Sequence, residues 1–294
     1  MIDETYTYIT KHKERAAILI IGLTAVNALV YWEIVSVSAR SGDLQVHFLD
    51  VWQGDSELVE LPGGVDVLID GGPPNGRAAR EIASALGPTD RYIDLVSISH
   101  PQLDHFGGIV DVIERYKVGA FIWNGRREGA PSAFGDLEKK LKENNIPVIT
   151  LGAGDRILYK DNAINVLWPT KAALAGKELN NTSLVLEVKS KNTTALFTGD
   201  IGVKIEASLV QTGLKNIDVL KVPHHGSKYS SSASLLNAVQ PLISAIEVGK
   251  NSYGHPTEET LSRLKSAGSK IFRTDRDGTV TLVSDGKTIK VFKR

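Results

Sequence analysis

Hydrophobic residues follow two different patterns on either side of residue 43. Residues 16–32 (AAILIIGLTAVNALVYW) are uncharged and mostly apolar, and a helix of this length is close to the lower limit for crossing a bilayer. From residue 44 onward the apolar runs are short and are separated by Gly, Asp and Asn, as is typical of strands and turns. The sequence therefore predicts a polar tail over 1–15, a transmembrane anchor or signal segment over 16–32, a linker over 33–43 and one domain over 44–294.

The charges that flank the apolar segment predict its orientation. Lys11, Lys13 and Arg15 precede it and Glu33 follows it, so the positive-inside tendency places the domain on the extracytoplasmic side of the membrane. Two alternatives remain open. Residues 37–39 (VSA) fit the cleavage site of a signal peptide, which would release a secreted domain, and the apolar segment also fits a buried core helix.

Short Val- and Ile-rich runs alternate with helical patterns after residue 43. The predicted strands are 44–50, 56–61, 65–69, 93–98, 118–123, 147–150, 163–168, 183–189, 193–198, 217–222, 242–247, 270–273, 279–283 and 287–292. The predicted helices are 76–86, 105–115, 132–144, 203–212, 231–238 and 257–267. Strands at both ends of the domain enclose alternating strand–helix units, so we expect an α/β fold with helices outside two facing sheets, an αββα sandwich.

The composition narrows the chemistry that the domain can perform. The 294 residues include no Cys, which excludes disulfides, thiolate nucleophiles and metal sites with sulfur ligands. The formal net charge is +0, so overall basicity does not indicate nucleic-acid binding. Positive charge is concentrated in residues 265–294 and at Arg126 and Arg127 after a predicted strand. A polyanionic substrate would find its counter-charge there, although a solvated charged loop fits the arginine pair equally well.

Histidine and aspartate residues cluster directly after three of the predicted strands. The clusters are His100, Asp104 and His105 after strand 93–98, Asp200 after strand 193–198, and His224 and His225 after strand 217–222. Side chains at strand ends converge in a crevice, and imidazole together with carboxylate is a ligand set for divalent metal ions. One carboxylate can bridge two ions, as in two-metal hydrolases. The sequence thus predicts a site for one or two divalent ions.

The order of these motifs resembles the metallo-β-lactamase superfamily. It runs from Asp70 in LIDGG through His-x-x-x-Asp-His at 100–105 and Gly-Asp at 199–200 to His-His-Gly at 224–226. More narrowly, the segments DVWQGDS, NNTS, PHHGS and YGHP resemble the extracellular hydrolase domains of ComEC-type competence proteins. The resemblance covers residues 44–292 and implies the αββα fold. The multi-helix channel of ComEC-type proteins has no counterpart here, so a separate channel protein is an expected partner.

Two departures from the superfamily pattern bear on the number of metal ions. Gln102, a weak ligand, stands where the superfamily has its second His and ComEC-type domains have Asp, and no His occurs between 105 and 224. The first ion then has a full ligand set of Asp104, His105, Asp200 and His225. The second keeps His100 and the bridging Asp200, helped by Gln102 or Asn181. A ligand-poor, oxygen-rich site favours Mn²⁺ or Mg²⁺ over tightly held Zn²⁺, so we expect one firmly bound ion and one weak one.

The remaining polar residues are assigned by their position relative to the motifs. Asp104 would orient or deprotonate the metal-activated water, and His224 and His255 would contact a phosphate or protonate the leaving oxygen. These three are the candidate catalytic residues, with loop packing as the alternative for His255. Residues expected to support the ligands or touch substrate are Asp50, Gln53, Asp55, Asp70, Gln102, Asn181 and Ser227. Asp70 ends a different strand, which suits it to hold the ligand histidines by hydrogen bonds.

These features together predict a metal-dependent hydrolase, in particular a phosphodiesterase or nuclease of ComEC type that cleaves single-stranded DNA outside the cytoplasmic membrane. The alternatives are another extracytoplasmic phosphoester hydrolase, acting on cell-wall or choline-phosphate esters, and a catalytically weak metal-binding homologue. The expected cofactors are Mn²⁺ or Zn²⁺ ions, with Mg²⁺ as a further option, and no nucleotide cofactor is expected. Hydrolysis of β-lactams is not expected, because the superfamily's first set of three His ligands is incomplete.

Overall fold

A computed structural model describes residues 15–31, 42–87 and 89–294. The chain divides into two compact units, Met1–Gly42 and Asp43–Arg294. In the first unit, residues 15–31 form a helix, α1, whose side chains are exposed. Throughout the described ranges, no helix is both long enough and apolar enough to cross a membrane. Residue 32 of the predicted segment and the alternative cleavage site at 37–39 lie outside the described residues.

The second unit contains strands and helices close to the predicted positions. Its strands are β1 (Leu44–Phe48), β2 (Glu57–Leu61), β3 (Val65–Ile69), β4 (Tyr92–Ser97), β5 (Lys117–Trp123), β6 (Val148–Thr150), β7 (Arg156–Tyr159), β8 (Asn162–Trp168), β9 (Val185–Ser190), β10 (Thr193–Phe197), β11 (Val219–Lys221), β12 (Ile243–Ile246), β13 (Lys270–Arg273), β14 (Val280–Ser284) and β15 (Ile289–Lys293). Its helices are α2 (Arg77–Leu86), α3 (Leu103–Phe106), α4 (Ile109–Arg115), α5 (Phe134–Glu143), α6 (Lys171–Leu174), α7 (Val203–Gln211), α8 (Ala233–Val239), α9 (Glu258–Ser266) and α10 (Thr274–Asp277).

The strands form two sheets, each with a parallel part. The first sheet has the order β15-β14-β1-β2-β3-β4-β5-β6 and the second the order β13-β12-β11-β10-β9-β8-β7. Strands β3 to β6 are parallel neighbours, and so are β10 to β13. Parallel neighbours need crossover connections, which here contain helices such as α2 and α7. Within each parallel part, the loops that follow the strands therefore emerge at one edge of the sheet.

The core consists of three apolar layers, which confirms the predicted αββα sandwich. Alternate side chains of β10 show why: Ala195 and Phe197 pack between the sheets, whereas Leu196 packs under the outer helices α7, α8 and α9. Phe48 of the first sheet stacks on Phe197 of the second, with ring centroids 6.2 Å apart. Full burial of one such ring stabilises the fold by about 1.5–3 kcal/mol. A third layer lies between the first sheet and the helices α2, α4 and α5.

The structure differs from the predicted elements in a few places. The predicted helix 105–115 is two helices, α3 and α4, which are separated at Gly107 and Gly108. The chain packs so closely there that a Cβ on Gly107 would lie 2.5 Å from Pro74 Cδ. The strand β7 and the short helices α6 and α10 were not predicted. Each spans a single turn or four residues, too short for a hydrophobic period to be recognisable in the sequence.

Candidate metal centre

The ends of four strands from the two sheets bring the His and Asp clusters together. Asp70 follows β3, His100 follows β4 and His105 lies in α3, while Asp200 follows β10 and His225 follows β11. All five side chains are buried. Asp200 Oδ2 lies 3.5 Å from His105 Nε2 and 3.7 Å from His225 Nε2. Side chains from both sheets therefore meet at one point.

The ring of His105 is held by hydrogen bonds on one side only. Its Nδ1–H donates to Asp70 Oδ2 at 2.8 Å. Asp70 in turn accepts from the backbone amide and the hydroxyl of Ser99, at 2.7 and 2.6 Å. Because Nδ1 donates to a carboxylate, Nε2 faces Asp200, and in the neutral form of the ring, which a metal ligand requires, the lone pair of Nε2 points there.

The turn after β11 orients two adjacent imidazoles. His225 Nδ1–H donates to the carbonyl of Glu247 at 2.8 Å, which leaves Nε2 3.8 Å from Asp104 Oδ2. His224 and His225 both have positive φ, 51° and 52°, a backbone conformation that is strained for residues with a Cβ. This turn directs His225 into the buried cluster and places Nε2 of the half-buried His224 3.7 Å from Asp200 Oδ2.

His100 also presents a free Nε2 to the centre. Its Nδ1 lies 3.0 Å from Ser99 Oγ and 3.3 Å from Ser183 Oγ. Both hydroxyl protons are used elsewhere, since Ser99 donates to Asp70 and Ser183 donates to a backbone carbonyl. The proton of the imidazole must therefore sit on Nδ1. Burial, with the positive charge of nearby His105, lowers the pKa of His100 to about 3, so the ring is neutral.

The inward-facing atoms of the cluster fit a divalent metal ion. Among the described residues, Nε2 of His100, His105 and His225 and Oδ1 of Asp200 are buried without a hydrogen-bond partner. Each such group costs about 1–3 kcal/mol when it is left unsatisfied. The ligand atoms of His100, His105 and Asp200 lie within 4.8 Å of one another, and so do those of Asp104, His105 and His225. Imidazole nitrogens combined with carboxylate oxygens are a donor set that divalent ions accept.

Carboxylates dominate the electrostatics around this point. Burial by itself would lower the pKa of His225, but Asp200 and Asp55 raise it to about 10. Asp200, Asp70, Asp55 and Asp104 likewise raise the pKa of His105 well above its ordinary value, against the effect of burial. In the absence of a metal ion, protons on the two rings supply the positive charge. The carboxylates of the centre therefore require either protonated histidines or a bound metal ion to balance their charge.

A buried ion pair lies next to the histidine and aspartate cluster. Lys221 at the end of β11 pairs with Asp55, and its Nζ lies 3.8 Å from Asp200 Oδ1. Burial and the Asp55 carboxylate raise the pKa of Glu247 to about 8, and burial with Glu247 raises the pKa of Glu57 well above its usual range. The raised pKa values favour the neutral forms of these two acids, which leaves Lys221 to neutralise Asp55.

The three candidate catalytic residues lie on the more accessible side of the cluster. The side chains of Asp104 and His224 are 37% and 35% exposed. The ring of His255 lies 5.7 Å from that of His224, and burial lowers the pKa of both imidazoles. His255 Nδ1 is buried without a partner in the described part of the chain. These side chains can therefore contact a substrate that reaches the cluster from solvent.

The predicted supporting residues fall into two groups. Asp55 and Asp70 contact the histidines directly. Gln102 interacts with His100 and donates its amide to Asn180 Oδ1 at 2.7 Å. Asn181 is engaged elsewhere, because its amide donates to Glu178 and its Oδ1 accepts from a backbone amide at 3.4 Å. The expectation that Asn181 helps to hold an ion therefore finds no contact to support it.

Asp50, Gln53 and Ser227 make contacts outside the histidine cluster. Asp50 forms an ion pair with Arg77 at the start of α2, with 3.0 Å between Oδ2 and Nη1. Gln53 Oε1 accepts from the backbone amide of Gly249 at 3.2 Å, and Ser227 Oγ accepts from a backbone amide in its own turn at 3.3 Å. A role of these three residues in supporting the ligands or touching substrate stays a prediction.

Four residues that orient or neutralise groups of the centre were not among the predicted site residues. Ser99 and Ser183 fix the tautomer of His100, Lys221 balances Asp55, and Glu247 orients His225 through its carbonyl. Lys221 and Glu247 have a sequence signal, since each is a lone charge in or directly after an apolar strand. A charge at such a place is either solvent-facing or paired inside the protein, and the sequence does not distinguish the two.

Several of the positive charges that were expected to attract a polyanion are engaged within the fold. The buried Arg126 donates to the carbonyls of Glu128 and Leu174, each at 3.1 Å. Arg127 pairs with Glu138 at 2.8 Å. The basic segment 265–294 contains the pairs Arg273–Asp275 and Lys293–Asp277, and Arg294 pairs with Glu81. The contacts of Arg126 favour the alternative of a charged loop for that residue, whereas a substrate contact of Arg127 stays a prediction.

Comparisons with known proteins agree with the fold and the ligand pattern. The chain is 29% identical over 265 residues to ComE operon protein 3 of Bacillus subtilis, which covers 82% of this chain and 33% of that protein. It is 31% identical over 234 residues to the competence protein ComA of Neisseria gonorrhoeae, covering 79% of this chain and 31% of that protein. The chain thus spans about a third of the length of these curated relatives.

Solved structures and a family model lead to the same assignment. The metallo-β-lactamase fold protein YhfI from Bacillus subtilis superposes with a TM-score of 0.58 at 11% identity, covering 82% of this chain and 100% of that chain, and so shares the fold. The family model described as the metallo-beta-lactamase superfamily matches residues 49–246, which include Asp70, His100, Asp104, His105, Asp200 and His225. The chain belongs to the metallo-β-lactamase superfamily, and the curated proteins to which it is similar include ComE operon protein 3 and the competence protein ComA.

Proposed function

We propose that the protein is a metal-dependent phosphodiesterase that cleaves single-stranded DNA on the extracytoplasmic side of the membrane. The observation that carries the proposal is the convergence of unpartnered Nε2 atoms from His100, His105 and His225 on the carboxylate of Asp200. Such a centre suits hydrolysis of a phosphoester, whose charge a cation can neutralise.

Exposed lysines near the carboxyl ends of three strands support a polyanionic substrate. Lys204 lies in the first turn of α7 after β10, Lys228 follows His225 after β11, and Lys250 follows β12. All three are exposed, and none forms an ion pair with a described carboxylate. Phosphate groups are the ligands that such cations attract, and binding through several phosphates weakens steeply with added salt. A cavity of about 480 Å³ is lined in part by Lys204 and Trp168.

The residues of the centre divide the chemical work between them. A divalent ion held by Asp104, His105, Asp200 and His225 supplies a Lewis acid, which acidifies water and neutralises a phosphoryl oxygen. Asp104 is half-exposed with one carboxylate oxygen 3.8 Å from His225 Nε2, so it can orient the attacking water and accept its proton. Asp70 and the Glu247 carbonyl keep the two ligand rings in place.

His224 and His255 are placed to act on the leaving group. Their rings are 5.7 Å apart at the accessible side of the cluster, and His224 Nε2 lies 3.7 Å from Asp200 Oδ2. A phosphoester that reaches Asp200 therefore meets His224 first. In the protonated form His224 can donate to the departing oxygen, while His255 contacts a neighbouring phosphate.

The names of the relatives bear on the biological role. Similarity to ComE operon protein 3 and to the competence protein ComA supports a role in the processing of DNA during its uptake. A separate channel protein that would conduct the strand remains a proposed partner. The positive charges before residue 16 support an extracytoplasmic domain, attached to the membrane through residues 16–32 or released from it.

The proposal is tested by comparing two substrates with the purified full chain and Mn²⁺. We expect cleavage of both single-stranded DNA and bis-p-nitrophenyl phosphate, with the DNA cleaved at the higher kcat/KM because the lysines contact additional phosphates. Raising the salt concentration is expected to lower kcat/KM for DNA and to leave that for the small ester nearly unchanged. Cleavage of the ester alone would favour another phosphoester hydrolase, and inactivity on both a metal-binding homologue without turnover.

The ligand geometry also predicts unequal metal binding. The ligand atoms of Asp104, His105 and His225 lie within 4.8 Å of one another, and so do those of His100, His105 and Asp200. We assign Asp104, His105, Asp200 and His225 to the first ion, which leaves the second with His100, the weak ligand Gln102 and the shared Asp200. Calorimetric titration of the metal-free chain with Mn²⁺ is expected to show one tight ion, with the second at least about tenfold weaker. A Gln102→Asp variant supplies a stronger ligand and is expected to bring the two affinities closer. Two equally tight ions in the wild type would contradict this division of ligands.

A further inference from the structure

The loop that follows β12 displays an aromatic ring beside the candidate centre. Tyr253 is 74% exposed, an unusual exposure for a ring that gains free energy from burial. It lies between Lys250, an exposed cation, and His255. An exposed aromatic ring next to unpaired positive charge is the combination with which proteins hold single-stranded nucleic acid.

A continuous series of side chains connects this ring to the buried cluster. Tyr253 stacks on His255, with centroids 5.9 Å apart and an interplanar angle of 26°. The rings of His255 and His224 are 5.7 Å apart, and His224 Nε2 is 3.7 Å from Asp200 Oδ2. A nucleotide whose phosphate contacts His224 therefore has its base within reach of Tyr253.

The loop holds Tyr253 in a defined position. Asn251 Oδ1 accepts from the backbone amides of Tyr253 and His255, at 3.1 and 3.0 Å. Asn251 Nδ2 donates to the carbonyls of Gly249 and His255, both at 2.9 Å. One side chain thus closes the loop on itself with four hydrogen bonds. A ring that is held in place before binding loses little conformational entropy when a partner stacks on it.

We propose that Tyr253, backed by His255, is a stacking subsite for one base of a single-stranded DNA substrate next to the phosphate that is cleaved. The subsite rests on the proposed function and adds to it a contact with a base, where the metal centre and the lysines contact phosphates only. Stacking accepts any base, so the subsite selects unpaired strands without reading their sequence.

The test compares a base-bearing strand with a base-free strand in the full chain with Mn²⁺. The substrates are oligodeoxythymidylate and an abasic strand of the same length, and kcat and KM are measured for the wild type and for Tyr253→Ala, Tyr253→Phe and Tyr92→Ala. We expect Tyr253→Ala to raise KM for oligodeoxythymidylate by roughly 5- to 100-fold with little change in kcat. Its KM for the abasic strand is expected to equal that of the wild type.

The two other variants separate stacking from structural effects. Tyr253→Phe keeps the ring and is expected to retain the wild-type KM for both strands. Tyr92 is also exposed but lies at the opposite end of β4 from His100, so Tyr92→Ala is expected to change neither KM.

Three results would overturn the subsite. An unchanged KM of Tyr253→Ala for oligodeoxythymidylate would rule out the stacking subsite and would leave the phosphodiesterase proposal intact. An equal rise in KM for both strands shows that Tyr253 acts through the loop and not through a base. A wild-type chain that neither binds nor cleaves oligodeoxythymidylate overturns the proposed function and the subsite together.

Discussion

Replacement of Asp200 by alanine is expected to abolish hydrolysis and to release the metal. Asp200 is the carboxylate nearest to the free Nε2 atoms of His105 and His225, at 3.5 and 3.7 Å, and it is the ligand that two ions would share. Loss of a residue that only supports a ligand typically costs 10–100-fold in affinity or activity, so we expect a loss greater than about 100-fold here. Turnover of bis-p-nitrophenyl phosphate and calorimetric titration with Mn²⁺ measure the two effects.

A matched substitution separates this effect from a general loss of charge. Asp161 is an exposed aspartate in the turn between β7 and β8, and Asp161→Ala is expected to keep wild-type turnover and metal affinity. If Asp200→Ala retained normal turnover while folded, the assignment of the centre would be wrong.

Replacement of Lys221 by methionine is expected to be the most destabilising single change in the domain. Lys221 and its partner Asp55 are both fully buried, so the variant leaves a carboxylate without its counter-charge next to Glu57 and Glu247. Removal of one partner of a buried ion pair typically costs about 3–5 kcal/mol of unfolding free energy. For a domain of this size we expect the unfolding temperature to fall by roughly 6–20 °C.

A second variant and a surface control test this explanation. The double variant Lys221→Met/Asp55→Asn removes both charges and is expected to recover much of the loss, as measured by urea unfolding. Lys139, which is 72% exposed in an i,i+4 pair with Glu143, provides the control. Lys139→Met is expected to change stability by less than about 0.5 kcal/mol. A Lys221→Met variant as stable as the control would show that the buried pair is not needed.

The fold was largely predictable because the strands carry their own signal. Short apolar runs mark β3 (VDVLI), β10 (TTALF) and β11 (VLK) in the sequence, and an Asp or His follows shortly after each of them. Parallel strands end at a common edge, so a cluster after one strand can meet a cluster after the next. The order of strands and helices already indicated two facing sheets, and the resemblance to the metallo-β-lactamase superfamily agreed with that expectation.

The interior polar network was not predictable, because it depends on contacts between distant segments. The sequence shows Lys221 only as a charged residue on a strand. Its burial as a counter-ion depends on packing against Asp55, which is 166 positions away in the chain. Arg126 shows the opposite error, since its charge indicated a substrate contact but its guanidinium binds backbone carbonyls. Ser183 belongs to the NNTS segment of the family resemblance, but nothing in the segment indicates the role of its hydroxyl, because a serine that fixes a tautomer looks like any turn serine.

The contribution of both sheets to one cluster has a consequence for how the protein matures. His100 and His105 come from the first sheet, and Asp200 and His225 come from the second. Neither half alone can offer more than a fraction of the coordination sphere, so a nascent chain with one sheet formed has no chelating site. The ion can therefore bind only after the two halves have packed together. Once bound, it stabilises the packed state and slows the separation of the halves, and it does not nucleate folding.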